Sequence, residues 1–326
     1  MKGRSFIHTG EFKRDELEKL LATARAFKTG ARRDRPLDGK QIALLFFNSS
    51  LRTRTSFEVG IRQLGGGVST LEIGAGVWNL ELAEGTRMEG KAAEHIKDAA
   101  RYLSRVYQAL CVRAFPGMES YDEDMRDPIL RAFEKHAKVP VINMESALYH
   151  PCQGMADLLT IRERFGDKPA RVLHTWTTHP KALPTSVSNS LVLAALQMGH
   201  DVTVCHPPEF PLPDPILKQA KGLKVVNEFA KAAKGAQVVY SKSWGSPHFY
   251  GKRDDETKLR CDKYRDWRID ESFMNSTADA IYMHCMPLRR NVEVTDGVLD
   301  SARCAIYDQA ENRLHVQKAI LTELIG

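Results

Sequence analysis

Short apolar runs recur along the chain with stretches of helical period between them: IALLFF (42–47), GVSTLEI (67–73), ALCVRAF (109–115), PVINM (140–144), RVLHTW (171–176), DVTVCHP (201–207), QVVYSK (237–242), AIYMHC (280–285) and CAIYD (304–308). Runs of that length without polar alternation read as strands buried on both faces, the pattern of parallel sheets. Leu17, Leu20, Leu21 and Ala24 follow i, i+3, i+4, i+7 spacing, and Ile96, Ala99, Ala100 and Leu103 repeat it, as amphipathic helices do. Alternating strand and helix predict an α/β fold with mostly parallel sheets. Four runs precede residue 150 and about five follow, so two doubly wound halves are expected, 1–150 and 151–310, joined near HPCQGMADLLTI (150–161).

The length of 326 residues suits two domains with sizeable cores. Lys and Arg total 47 against 41 Asp and Glu, a net charge of +6, and the basic residues are scattered. That distribution fits small anions and argues against a nucleic-acid tract. Six cysteines (111, 152, 205, 261, 285 and 304) include no C-x-x-C pair, which predicts a reducing, cytoplasmic setting. No N-terminal stretch has signal-peptide design, and no apolar run approaches the ~20 residues of a membrane span. A soluble protein without membrane or nucleic-acid partners is expected.

Ligands in doubly wound folds collect where strands turn into helices at their carboxyl ends, and the polar clusters of this chain fall there. Ser50-Leu51-Arg52-Thr53-Arg54 sits where the first run passes into a helix containing Phe57 to Leu64. Exposed N–H groups, the helix dipole, hydroxyls and guanidinium groups there make a phosphate cradle, where a plain surface turn would need none of them. No G-x-G-x-x-G or Gly-Lys-Ser/Thr sequence is present, which argues against a nucleotide loop and against a nicotinamide-dependent dehydrogenase. His150-Pro151-Cys152-Gln153 follows the fourth run, and IYMHCMPLRR (281–290) ends a later one. His150 with Cys152, Cys205 with His206 and His284 with Cys285 all lack the paired spacing of a zinc site. No metal and no cofactor are expected.

S-x-R-T-R at 50–54, H-P-x-Q at 150–153 and H-C-M-P at 284–287, in that order, closely resemble the signatures of the aspartate/ornithine carbamoyltransferase family. The likeness runs nearly the whole chain. FFNSSLRTRTSFE, VRAFP (112–116), VINME (141–145), TWTTHPKALPTSV (175–187), KSWG (242–245) and AENRLHVQKAI (310–320) resemble the branch acting on N-acylated ornithine. The resemblance implies carbamoyl transfer from carbamoyl phosphate to the δ-amine of N-acetylornithine in arginine biosynthesis, with N-succinylornithine as the alternative substrate. It also implies a homotrimer with active sites between subunits. A carbamoyl-phosphate domain would come first and an N-acylornithine domain second; the second would be knotted where 178–187 threads a loop near 235–254, and a C-terminal helix, 311–326, would return to the first.

Carried over by resemblance, Ser50, Leu51, Arg52 and Thr53 hold the phosphate, while Arg113, His150 and Gln153 reach the carbamoyl end with Arg313 nearby. Trp78, in the loop GVWNLE, is the residue a neighbouring subunit supplies. Cys285 and Met286 frame the attacking amine, and Glu145, Lys242, Asn189 and Arg289 contact the amino-acid substrate. The chemistry needs these types: attack on the carbamoyl carbon makes an oxyanion while phosphate gathers charge, so fixed donors at both ends lower the barrier. Arg113, His150 and Thr53 are the candidates at the oxygen.

Plain ornithine enzymes of the family carry a Ser-Met-Gly turn and an aspartate for the free α-amine, whereas this chain has Lys242-Ser243-Trp244-Gly245. A cation suits a carboxylate and repels an ammonium, which favours a masked α-amine. Position 93 matches a residue usually glutamate in acetyl-specific members and proline in succinyl-specific ones. Ala93 removes the repulsion a glutamate would exert on a succinyl carboxylate, so tolerance of the succinyl substrate is expected. The non-enzymatic rival, an anion-binding regulator, would be favoured by loss of Arg113, His150 or Gln153, and all three are present.

Overall fold

The structure, a computed structural model, describes residues 1–326. The chain divides into two compact units: the first takes in 1–117, 122–152 and 313–326, the second 118–121 and 153–312.

The first unit is built on a four-stranded parallel sheet. Its strands are β1 (Gln41–Phe46), β2 (Gly67–Glu72), β5 (Ala109–Arg113) and β6 (Val141–Glu145), in the order β2-β1-β5-β6. A separate two-residue parallel pair, β3 (Leu80–Glu81) and β4 (Glu94–His95), lies between β2 and β5 in sequence. β5 and β6 are wholly buried and β1 is buried from Ile42 on, whereas β2, at the sheet edge, is half-exposed. Its run GVSTLEI therefore does not follow the expectation of burial on both faces; β6, the other edge strand, is buried because the N-terminal segment bridges to it through Phe6 and Ile142.

Helix Arg14–Lys28 buries Leu17, Leu20, Leu21, Ala24 and Phe27, the stripe its spacing predicts. Helix Ile96–Val106 buries Ile96, Ala99 and Ala100, with Leu103 packed partly against a core of Ala43, Leu45, Leu110, Val112, Leu130 and Phe133. Residues from Arg313 on belong to this unit. Lys318 Nζ donates to Gln63 Oε1 at 3.0 Å, and Leu314 lies against Gly60, where a Cβ would stand 3.3 Å from its side chain.

The second unit carries a five-stranded parallel sheet, β7 (Arg171–Trp176), β8 (Asp201–Cys205), β9 (Lys224–Val226), β10 (Val238–Lys242) and β11 (Ile281–Met283), in the order β11-β10-β7-β8-β9. β9, with two valines between Lys224 and Asn227, is too short to stand out as an apolar run. The expected strand CAIYD is a correction: Cys304 makes one isolated bridge to Tyr282, and Ile306 already opens helix Ile306–Ile325. A five-residue apolar run cannot tell strand from helix by itself, and the helical period continuing through Ile320 decides it. Helix Ser186–Gln197 is buried nearly all round, which its small polar residues Ser186, Ser188 and Ser190 allow.

Candidate active site

In the first unit, β1 ends at Phe46 and the chain turns through 47–51 into helix Arg52–Gln63. Ser50 Oγ accepts the Thr53 N–H at 3.2 Å, satisfying one of the amides that a helix start leaves open. Thr53 is buried, and its hydroxyl accepts from Arg313 Nη2 at 2.9 Å. Arg52 is half-buried and Leu51 exposed. Arg54 is ion-paired with Glu58 and Glu72, which assigns it to the outer face of the helix. Asn48 Oδ1 accepts the Phe115 N–H at 2.7 Å, tying the turn to the chain just past β5. The result is a helix N-terminus with a guanidinium group on its first hydroxyl residue, a combination that attracts anions.

Arg113 and Glu145 are register partners at the carboxyl ends of β5 and β6, brought level by a slip in the pairing after Val112. Arg113 Nη1 donates to Glu145 Oε2 at 2.5 Å, with both side chains about nine-tenths buried, and Arg113 stacks on Phe115 at 4.4 Å. His150 Nε2 lies 3.6 Å from the same carboxylate oxygen. Burial first, then the charges of Arg313 and Arg113, hold His150 well below the ordinary histidine range, so its imidazole is neutral at pH 7. A neutral imidazole between two guanidinium groups offers a hydrogen bond without adding a third cation.

In the second unit Gln153 Nε2 donates to Asp157 Oδ1 at 2.8 Å, and Gln309 donates to the same oxygen at 2.7 Å. Lys242 ends β10 and is 8% exposed, so it does not simply reach into solvent. The KSWG turn beyond it is fixed by Arg260, which donates to Ser243 Oγ at 2.8 Å and to the Trp244 carbonyl, and is paired with Glu256. Cys285 is buried one residue past His284, whose Nε2 lies 3.2 Å from Glu293 Oε1. Arg289 donates its backbone N–H to Glu293 Oε2 at 2.8 Å and its Nε to His179 Nε2 at 3.1 Å. Burial pushes Glu293 up, but the opposing charges of His284 and Lys242 and the bond from His284 carry it down to about 2. Asn189 Nδ2 donates to Thr185 Oγ1 at 3.0 Å. Met286 precedes Pro287 through a cis peptide bond.

The model of the aspartate/ornithine carbamoyltransferase carbamoyl-P binding domain matches residues 4–163, and that of the Asp/Orn binding domain matches residues 184–324. The chain belongs to the aspartate/ornithine carbamoyltransferase family. Among its carbamoyltransferase relatives, N-acetylornithine carbamoyltransferase of Xanthomonas campestris is 43% identical over 100% of this chain and 99% of its own length. N-succinylornithine carbamoyltransferase of Bacteroides thetaiotaomicron is 35% identical over 88% of this chain and 87% of its own. A crystal structure of acetylornithine transcarbamylase complexed with acetylcitrulline superposes with a TM-score of 0.96 at 43% identity, covering 99% of each chain.

Among the carbamoyltransferase positions singled out in the sequence, Ser50, Thr53, Arg113, Glu145, His150 and Arg313 are linked by bonds or close charges within the first unit. Trp78 and Ala93 lie apart from that linkage: Trp78 is 57% exposed and donates to Glu94 Oε2 at 2.9 Å, which brings it to the neighbour of the exposed Ala93. His179 and Glu293 escaped the sequence analysis. His179 stands just past β7 in a stretch already quoted, so the strand-end rule had marked its place; nothing in the sequence ties Glu293 to His284.

Proposed function

We propose that this chain transfers the carbamoyl group of carbamoyl phosphate to the δ-amine of N-acetyl-L-ornithine, yielding N-acetyl-L-citrulline and phosphate, as a cytoplasmic step of arginine biosynthesis. The observation that carries the proposal is the joined group Ser50, Thr53, Arg313, Arg113 and neutral His150, donors clustered at one helix start and two strand ends.

Ser50, Thr53, Arg52 and the amides about Leu51 take the phosphate. Arg113 and His150, with Gln153, take the carbamoyl end, and Thr53 reaches both. The amine nitrogen attacks the carbamoyl carbon; the carbonyl oxygen becomes an oxyanion; the carbon–oxygen bond to phosphate then breaks, phosphate keeps the electron pair and the amine gives up a proton. A single preorganised donor at such an oxyanion contributes ~3–4 kcal/mol. Glu145 sets the angle of Arg113 through their ion pair, at a position where the amino-acid substrate is expected. Cys285 and Met286 flank the amine.

Lys242, with Arg289 and Asn189, supports recognition of the acylated amino acid. A buried ammonium pairs with the α-carboxylate and disfavours a free α-ammonium. Ala93 presents no charge to the acyl group, and this favours turnover of the succinyl substrate as a second activity. A homotrimer in which Trp78 serves a neighbour fits its exposed indole.

Purified protein with carbamoyl phosphate and ornithine, N-acetylornithine or N-succinylornithine, assayed for ureido product, tests the proposal. Product is expected with the acylated substrates, and Arg52→Ala should lower kcat/KM by about two to three orders of magnitude. Activity confined to free ornithine would overturn the substrate assignment.

A further inference from the structure

The segment between Glu145 and His150 carries two of the carbamoyl-end side chains, and its shape is set by a residue from a distant loop. Asp127 precedes helix Pro128–His136 with φ 50° and is 3% exposed. Its Oδ2 accepts the Ser146 hydroxyl at 2.5 Å, its Oδ1 faces the Ala147 N–H at 3.4 Å, and the Leu148 N–H also bonds to it. Ser146 in turn accepts from Tyr149 N at 3.3 Å and donates its N–H to the Tyr149 carbonyl at 2.8 Å. Asn143 Nδ2 braces the same turn through the Tyr149 carbonyl and Ser146 Oγ, both at 3.2 Å. Every residue from 145 to 150 is buried. A left-handed aspartate buried against a loop it neither precedes nor follows is a strained and desolvated arrangement, and the side chains it serves are Glu145 and His150.

We infer that Asp127 is a positioning residue for carbamoyl transfer: through Ser146 and the amides of Ala147 and Leu148 it fixes the turn that aims Glu145, and with it Arg113, and His150. The inference rests on the proposed role of those side chains at the carbamoyl end. The charge that acts on Asp127 is Arg131, on its own helix; the loop opposite presents the Ser146 hydroxyl and two N–H groups, and ends in Glu145 and His150. Burial raises the Asp127 carboxyl to about 6, whereas His150 stays neutral there. Protonation turns one acceptor oxygen of Asp127 into a donor, so the Ser146 hydroxyl must turn away and the amides lose a charged acceptor. Asparagine likewise keeps one acceptor oxygen, puts a donor group in place of the other and carries no charge, so Asp127→Asn is a permanent neutral mimic of the protonated state.

The test is kcat with carbamoyl phosphate and saturating N-acetylornithine, between pH 5 and 8, for wild type and Asp127→Asn. The ratio of the two rates at each pH cancels titration of the substrate amine. The ratio is expected to be about 10 or more at pH 8 and to fall toward 1 below pH 6, with KM for N-acetylornithine within about threefold; these sizes follow from loss of one charge-assisted hydrogen bond. Ser146→Ala, which removes one link and keeps the charge, should lose activity and move the acid limb to higher pH, because the Ser146 bond is one of those that hold the Asp127 carboxyl down. A pH-independent ratio, or wild-type kcat in Asp127→Asn, overturns the inference. Should Asp127→Asn not fold, an acid limb in Ser146→Ala displaced to higher pH than that of wild type still supports it, and an undisplaced or absent limb refutes it. Wild-type inactivity with every acylated ornithine would strike the proposed function itself, which separates the two failures.

Discussion

Two turns bear on the proposed chemistry, one in each unit, and they are held by opposite means. The turn after β6, 145–150, is held by the carboxylate of Asp127, ringed by a hydroxyl and amides. The turn after β10, 242–246, is held by Glu256 and Arg260, both fully buried, paired with each other and bonded to Ser243, Trp244 and Ser246. Arg260 also stacks on Phe210 at 4.7 Å and Trp176 at 5.1 Å. A buried carboxylate held mainly by hydrogen bonds keeps a proton too readily and answers to mild acid. A buried pair satisfies itself, but removing one partner strands the other. On the proposed assignment, the turn of the first unit answers to mild acid through Asp127, and the turn of the second breaks when one member of its ion pair is lost.

The comparison is broken most directly at Glu256. Glu256→Gln strands Arg260 and should destabilise the second unit by about 3–5 kcal/mol, read as a lower midpoint in urea unfolding. If the midpoint holds, the pair does not fix the KSWG turn. The matching change in the first unit is read through its pH dependence. Asp127 is ordinarily ionised above pH 3.8 but in the fold only above about 6, so the folded state binds the proton more tightly. Its contribution to stability is fully present below pH 3.8 and is lost as pH rises through 6, by about 3 kcal/mol at 1.4 kcal/mol per unit. Unfolding free energies at pH 4 and pH 7 should differ less in Asp127→Asn than in wild type, by about 2 kcal/mol of that total, since part of it is already lost at pH 4; an unchanged difference denies the titration.

Lys242→Met tests the amino-acid half alone. It should raise KM for N-acetylornithine about 10- to 100-fold, the worth of one charge-assisted bond, and leave carbamoyl-phosphate affinity, measured by calorimetry, within twofold. Weakened carbamoyl-phosphate binding would undo the division of labour. The smallest effect is expected from Ala93→Glu, an exposed position: succinyl turnover should fall several-fold and acetyl turnover stay level, and equal loss of both would remove Ala93 from acyl selection.

The sheets were legible because buried parallel strands have no polar alternation, and eight of the nine runs are strands of one or the other sheet. CAIYD misled because burial alone looks the same in a short helix start as in a strand. Ser50 to Thr53, Arg113 and His150 were legible because strand ends and helix starts concentrate anion chemistry, and the motifs there resemble one family. Asp127, His179 and Glu293 were not, since each acts across a gap that no local period records: Asp127 reaches Ser146 from 19 residues away, and Arg289 meets His179 across 110. Glu256 and Arg260 stand at i,i+4 on one helix, but that period does not record the reach of Arg260 to Ser243, 17 residues back.

Thr53 shares its hydroxyl with Arg313, from a position 260 residues later, and Lys318 and Leu324 also pack onto the oldest parts of the chain. During translation the first unit can thus form its sheet early and yet wait for its guanidinium until nearly everything else has been made. A nascent polypeptide still short of Arg313 would leave the Thr53 hydroxyl without that guanidinium, so the proposed anion site would reach its full charge only in molecules whose synthesis has run past that point.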